Sequence, residues 1–217
     1  MNDRIEMFSF LRKKVRPLNV TSYFGAKPDM DEFQSPWMTC VRAHRGQGVI
    51  STDATPIHSD GVLGCSVLLI KNEQTRASAG FHIDVTDATL NKRQVGVFMR
   101  FMIPALAELK LGRNEDEVRR LLANFKNANG NDAKRLAILT KDAIPPGLFR
   151  SRFLYGSESR KHRADTEAMF LKPFQIQVGD DIQADTGSSY WETIYKPEND
   201  QILINAELSK KVFEYRL

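Results

Sequence analysis

Two cysteines and four histidines in 217 residues leave little material for a disulfide scaffold or a zinc site. Neither Cys40 nor Cys65 has the neighbouring Cys or His that a zinc site would use, and one bridge is too few to staple a small secreted fold. No run approaches the ~18 to 20 apolar residues of a membrane helix. Charges interrupt residues 1–18 throughout, so neither a membrane span nor a secretory signal is read. A glycine-rich phosphate loop, an internal repeat and a low-complexity tract are also missing. Charge of one sign is scarce: 31 basic and 27 acidic residues leave a surplus of +4. That is not a nucleic-acid signature, and the densest basic run, Arg12-Lys13-Lys14-Val15-Arg16, reads as a solvated helix face.

What is present is the composition of an ordinary globular domain, 41% apolar with 13 glycines, in a chain long enough for one sizeable core. A single domain over residues 1–217 is expected, made as a soluble cytosolic species. Ile5, Phe8, Leu11 and Val15 recur at helical spacing and predict a helix within residues 1–24, ended by Pro17. Asp29 to Pro36 reads as a loop, Trp37 to Arg42 as a strand, and Gly46 to Gly48 as the turn into a second strand at Val49 to Thr52. A hairpin follows over about 62 to 83. The period then lengthens to 3.6: Val95, Phe98, Met99, Met102, Ala105, Leu106 and Leu109 share a face, with Thr86 or Asp87 as N-cap, Gly112 as terminator and Pro104 as a kink or break. A second helix starts from Asn114, which with Glu117 resembles a capping box, and Asn127 to Asp132 reads as a polar loop. The remainder is mainly extended, with short strands at Arg135 to Thr140, Phe149 to Tyr155, Phe174 to Val178, Ser189 to Tyr195 and Gln201 to Asn205, and a charged, mobile stretch at Ser157 to Asp165. Strands outnumber helices without regular alternation. The fold class is therefore α+β, a mixed sheet or sandwich flanked by a few helices.

Cys65 closes the run Gly61-Val62-Leu63-Gly64-Cys65 before the apolar stretch Ser66 to Ile70, and His82 lies seventeen residues on. If the chain turns back once, near Lys71 to Thr75, thiol and imidazole reach the same end of adjacent strands. A free thiol has a pKa of about 8.5, so it needs a base to act as a nucleophile at neutral pH. An imidazole supplies that base, a third group fixes its tautomer, and backbone N–H groups at a tight turn receive the oxyanion. Gly64 allows a close approach of backbone to a substrate carbonyl there. Spacing alone also fits a small buried cysteine.

Ser59, six residues before Cys65, then Leu63-Gly64-Cys65, then His82-Ile83-Asp84 after one hairpin, together resemble the active-site signature of the cysteine glutamine deamidases. That group contains the chemoreceptor glutamine deamidase, the catalytic domain of cytotoxic necrotizing factor and Burkholderia lethal factor. The layout of Asp185 to Trp191, a strand, a Pro-Glu-Asn-Asp turn and Ile202-Leu203-Ile204 is similar to the family's C-terminal hairpin. The likeness spans about 59 to 205, within a deamidase-like core of about 37–205. Two positions depart from the pattern: Ser59 stands where a threonine is usual, keeping the hydroxyl without the methyl that restricts its rotamer, and Leu63 stands where the toxin motif has serine. The resemblance implies that Cys65 attacks a protein glutamine, that His82 protonates departing ammonia and activates water, and that Ser59 completes the set through its side chain or its carbonyl. It implies no metal and no organic cofactor. The partner would be a protein carrying a reactive glutamine, and a bacterial toxin or effector role would call for secretion or translocation into a target cell, with a delivery partner.

Several residues have a second reading. Asp84 shares a strand side with His82 and is a candidate to tune the imidazole; helix capping or surface exposure is the alternative. His58 is a candidate to orient His82 or line the cleft, against a solvated loop position. Cys40 and His44 form a second candidate dyad by period two, though Trp37, Met38 and Val41 mark Cys40 as core. His162, in Arg160-Lys161-His162-Arg163, reads as surface loop, and Tyr190 and Trp191 as core or as cleft walls. A non-catalytic module binding an acidic partner or RNA, a cysteine protease and a transglutaminase remain open, since the last two put the same dyad on another carbonyl or another acceptor.

Overall fold

The computed structural model describes residues 40–62, 64–155, 160–183, 191–206 and 211–217. In chain order they form β1 (Val41–Arg42), β2 (Gly48–Ser51), β3 (Ile57–Val62), β4 (Ser66–Asn72), β5 (Ser78–Ile83), α1 (Lys92–Ala107), α2 (Glu115–Ala123), α3 (Gly130–Thr140), β6 (Phe149–Tyr155), α4 (Arg160–Thr166), β7 (Gln177–Val178), β8 (Ile182–Gln183), β9 (Trp191–Lys196), β10 (Gln201–Ala206) and β11 (Lys211–Arg216). One sheet runs β1-β3-β9-β10-β11 and the other β2-β5-β4-β6-β7, with β8 also on β6. Both sheets mix parallel and antiparallel pairs. The helix expected within 1–24, the loop at 29–36 and Tyr190 lie outside the described residues.

Alternation along the strands sorts the side chains into two cores. Leu68, Ile70, Ala79, Phe81 and Ile83 point to one side of the six-stranded sheet and pack against Phe98, Met102, Leu136 and Phe170 of the helical layer. Cys65, Val67 and Leu69 point to the other side and meet Ile57, Val62, Trp191, Tyr195 and Ile202 of the five-stranded sheet. β4 and β5 are buried at every residue because they are covered on both faces. The architecture is an α+β sandwich with a helical layer on one outer face. The two sheets pack tightly at Gly80, where a Cβ would come 2.6 Å from Ile57 Cγ2. Only glycine fits that crossing without movement.

The hairpin β4–β5, the strand β6 and the α1 stripe lie where sequence patterning puts them, while several local readings are corrected. Residues 135–140 are not a strand but the second half of α3, whose N-cap Asn129 and Asp132 form a reciprocal capping box inside the stretch read as a loop. Asn91, not Thr86 or Asp87, caps α1, again through a capping box, with Gln94. Pro104 does not divide that helix, and Gly112, with φ of 55°, begins the next short turn instead of ending α1. Asn114 makes no cap hydrogen bond to α2; its side chain donates to the Leu139 carbonyl at 2.9 Å and so ties α2 to α3. Phe174 lies in a 3-10 turn, so only Gln177–Val178 of the strand expected at 174–178 is extended. His162 is fully buried on α4, not in a loop. Among the described residues, no helix is long and apolar enough to cross a membrane.

Candidate active site

The pairing of β4 with β5 sets Val67 opposite His82 and Ser66 opposite Ile83. His82 therefore points to the same side as Val67 and Cys65, toward the five-stranded sheet, as does Gly80 two residues earlier. From that opposite sheet Ile57 and Ser59 of β3 point back. A register shift between Ser59 and Val62 adds a bulge, so Val62 also faces inward, and Gly64, with φ of 65°, turns the chain into β4. These three local facts bring Cys65, His82 and Ser59 to one end of the inter-sheet space. The described ends of β6, β8 and β9 reach the same end: Tyr155 pairs with Ser66 and with Gln183, and Trp191 pairs with Val62.

Ser59 Oγ lies 3.0 Å from His82 Nδ1 and donates to the Ala43 carbonyl at 3.0 Å. A hydroxyl has one proton, and a carbonyl can only accept. With that proton on Ala43, the oxygen must accept from Nδ1–H, and the basic lone pair of the ring belongs to Nε2. The main chain of His82 is fixed as well. Its carbonyl accepts from Gly46 N at 2.9 Å and from Gln94 Nε2 at 2.8 Å, and its N–H donates to Gln47 at 2.9 Å. Gln94 is fully buried, and the same Nε2 also reaches the Gln47 carbonyl at 3.1 Å while Oε1 accepts from Asn91 N. The first turn of α1 thus clamps the histidine strand to the 43–47 turn.

Cys65 is 2 % exposed and packs within the inter-sheet core, and Ser59 and His82 are buried with it. The thiol at the end of the hairpin is thus buried, not open to solvent. Asp84 is engaged elsewhere than on the imidazole. Both its oxygens are bonded by Arg45, Nη2 at 2.8 Å from Oδ1 and Nε on Oδ2, and Oδ1 also accepts from Thr86 N and Oγ1 at 3.0 Å. The Arg45 hydrogen bond, helped by Thr86, holds its carboxyl far below the usual carboxylate range. His58 is buried on the face of β3 opposite Ser59, since adjacent strand residues alternate, and its Nε2 is 3.5 Å from Glu192 Oε2. It does not face His82.

Burial pushes the Cys40 thiol up to about 11, which makes it a poor nucleophile; His44 is exposed. Trp191 is inter-sheet core. Ala43, Arg45 and Gln94 were not singled out by sequence reasoning. Gln94 carried a signal, as the polar member beside an apolar stripe three residues after Asn91; Arg45 and Asp84 are 39 positions apart, and nothing local joins them. Among the described residues no group of three or more His, Cys, Asp or Glu converges as a metal site.

No family model and no curated protein matches the chain. Among solved structures it is similar to the C-terminal domain of CNFy from Yersinia pseudotuberculosis, at 12% identity and a TM-score of 0.30, over 82% of this chain and 62% of that one. This chain thus spans less than two thirds of that structure's length.

Proposed function

We propose that this chain is a protein-glutamine deamidase, of bacterial toxin or effector type, with Cys65 as nucleophile, His82 as base and acid, and Ser59 as the group that orients the ring. The observation that carries this reading is the Ser59 to His82 hydrogen bond, backed by the Ala43 carbonyl, on the strand face that also bears Cys65. A buried imidazole held in the Nδ1–H tautomer presents Nε2 as its basic nitrogen, as a general base requires.

The thiol gives its proton to His82 and attacks the amide carbon of a glutamine side chain. Main-chain N–H groups at the Gly64–Cys65 turn donate to the oxyanion, and the imidazolium passes its proton to the amine as ammonia leaves. Water, deprotonated by His82, opens the thioester to glutamate. A lysine amine in place of water gives a cross-link by the same path.

The burial of Cys65 favours a second reading, an inert interaction module in which the thiol serves only as packing. Incubation with eukaryotic lysate followed by mass spectrometry separates the two. Deamidation gives a shift of about +1 Da at a target glutamine that vanishes with Cys65→Ser and with His82→Ala. Absence of any such shift, with a Cys65 that alkylates no faster than a free thiol, leaves the module reading.

A further inference from the structure

We infer that Arg45 is a further positioning residue of this site: clamped on Asp84, it neutralises a carboxylate set opposite Cys65 and turns its own positive charge toward the sulfur, favouring the thiolate. This inference rests on the reading of Cys65 as the nucleophile. Its basis is the register. Ser66 pairs with Ile83, and carrying that register one residue past the end of the ladder sets Cys65, which packs in the inter-sheet core with Val67, across from Asp84. Directly opposed residues have Cβ atoms about 4.5–5.5 Å apart. A bare carboxylate at that distance disfavours a second anion and would raise the thiol pKa.

Arg45 removes that penalty. Its guanidinium grips Asp84 through Nε and Nη2, a two-point geometry that a flexible ammonium does not reproduce. The pair is held from both ends. Thr86 fixes the carboxylate, while Gly46, next to the arginine, donates to the His82 carbonyl and accepts from Asn91 Nδ2 at 3.0 Å. Asp84 is 15% exposed and Arg45 60%, so the cation sits at the rim and its partner further in. Asp84 raises the Arg45 pKa most, and the Cys65 sulfur is among the smaller charges that raise it, in keeping with the placement the register gives. Among the described residues, the charged and titratable side chains on the elements packed near Cys65 include His82 on β5, Asp84 just after it, Arg45 on the turn, and Tyr155 and His162 across the other face of β4, where His162 Nδ1 is 3.2 Å from Ser66 Oγ. β3 brings Ser59, and β9 brings Trp191.

The test reads thiolate absorbance near 240 nm against pH in the full chain carrying Cys40→Ser, with Cys65→Ser subtracted to remove tyrosinate. Arg45→Gln exposes the sulfur to an uncompensated Asp84 and should raise the Cys65 pKa by about one unit. Adding Asp84→Asn should return most of that shift, and Asp84→Asn alone should leave the pKa at or below its starting value. Loosening of the turn alone moves both single variants in the same direction; that result, or no shift with Arg45→Gln, overturns the inference. Should Arg45→Gln fail to fold, the unsubstituted arginine protein decides it: raising salt from about 0.05 to about 1 M should raise the thiol pKa through screening, and an unchanged pKa overturns the inference. If the charge order holds while no glutamine is converted in lysate, the glutamine reading fails and the role of Arg45 stands. Cys65-dependent conversion without the charge order overturns the role of Arg45 and leaves the deamidase reading in place.

Discussion

Ser59 and His82 meet across the two sheets, Oγ to Nδ1 at 3.0 Å, with the Ser59 proton directed to the Ala43 carbonyl. The hydroxyl joins the five-stranded sheet to the ring on the six-stranded sheet, so the tautomer of His82 depends on how the sheets are stacked. Ser59→Ala removes the acceptor from a buried N–H and frees the ring. Conversion dependent on Cys65 should fall by about 10²-fold, the scale of a misplaced catalytic group. Ser59→Thr keeps the hydroxyl, restricts its rotamer and should retain the rate. Nitrogen-15 shifts of the His82 ring check the cause: Nδ1–H in the parent and in Ser59→Thr, a mixture in Ser59→Ala.

Gln94 makes a second prediction because it is fully buried and satisfied at both ends. Gln94→Leu leaves the His82 and Gln47 carbonyls and the Asn91 N–H short of a partner, a loss of about 1–3 kcal/mol in denaturant unfolding. Gln94→Glu is sharper. The new carboxylate would face two carbonyl oxygens in a buried place, so its folded pKa would lie above the unfolded value near 4.3. A raised pKa means the folded state holds the proton more tightly, and stability falls as pH rises from about 4 to 7. The gap between the parent and Gln94→Glu should therefore widen over that range, while the gap to Gln94→Leu stays flat.

Gly80 and Ile57 mark a close crossing of the two sheets. Gly80→Ala drives a methyl into Ile57 Cγ2 and should cost about 1–3 kcal/mol by overpacking. Ile57→Ala alone opens a cavity and costs about 2–5 kcal/mol. Because the second change removes the atom that the first one strikes, the double variant should lose clearly less than the sum. Additive losses in urea unfolding would mean the sheets do not touch at this point.

The two halves of the site were not equally legible in the chain. Period-two alternation and a five-residue turn suffice to pair β4 with β5, and this pairing alone sets His82 on the face of Cys65. Ser59 needed a bulge at 60–61 and a sheet-on-sheet crossing at Gly80, and neither has a strong local signal; its place was suggested by family resemblance, not by periodicity. Arg45 and Ala43 were invisible because they act from a turn that docks 39 and 16 positions away. The readings that failed share a cause. The six residues 135–140 look extended when cut off from Asn129 and Asp132, and His162 looks exposed when judged by its charged neighbours instead of by the face of a short helix that packs on Ser66.

Asp200 sits at the far end of the sandwich from Cys65, at the turn between β9 and β10, and gathers two cations from the six-stranded sheet and a hydroxyl from the five-stranded one. Lys71 bonds Oδ1, Arg150 Nη2 bonds Oδ2 at 3.0 Å, Tyr195 OH donates at 3.2 Å, and its carbonyl accepts from Leu217 N at 2.9 Å. Its φ of 59° is a left-handed conformation that asparagine also accepts, so Asp200→Asn tests charge with little backbone strain. Lys71, 8% exposed, would be left with a weaker partner, at a cost of about 2 kcal/mol, the scale of a hydrogen bond to a charged group. Burial by itself would raise the Asp200 carboxyl, but bonding and charge from Lys71 and Arg150 outweigh it and the net shift is downward. A carboxyl lowered on folding stabilises above its unfolded pKa of about 3.9, and that stability is lost as pH falls through the folded value. Thermal melts of the parent and Asp200→Asn should therefore differ by a constant margin from pH 5 to 8 and converge as the pH drops below about 4. A margin that persists in acid would assign the effect to the turn geometry and not to the charge.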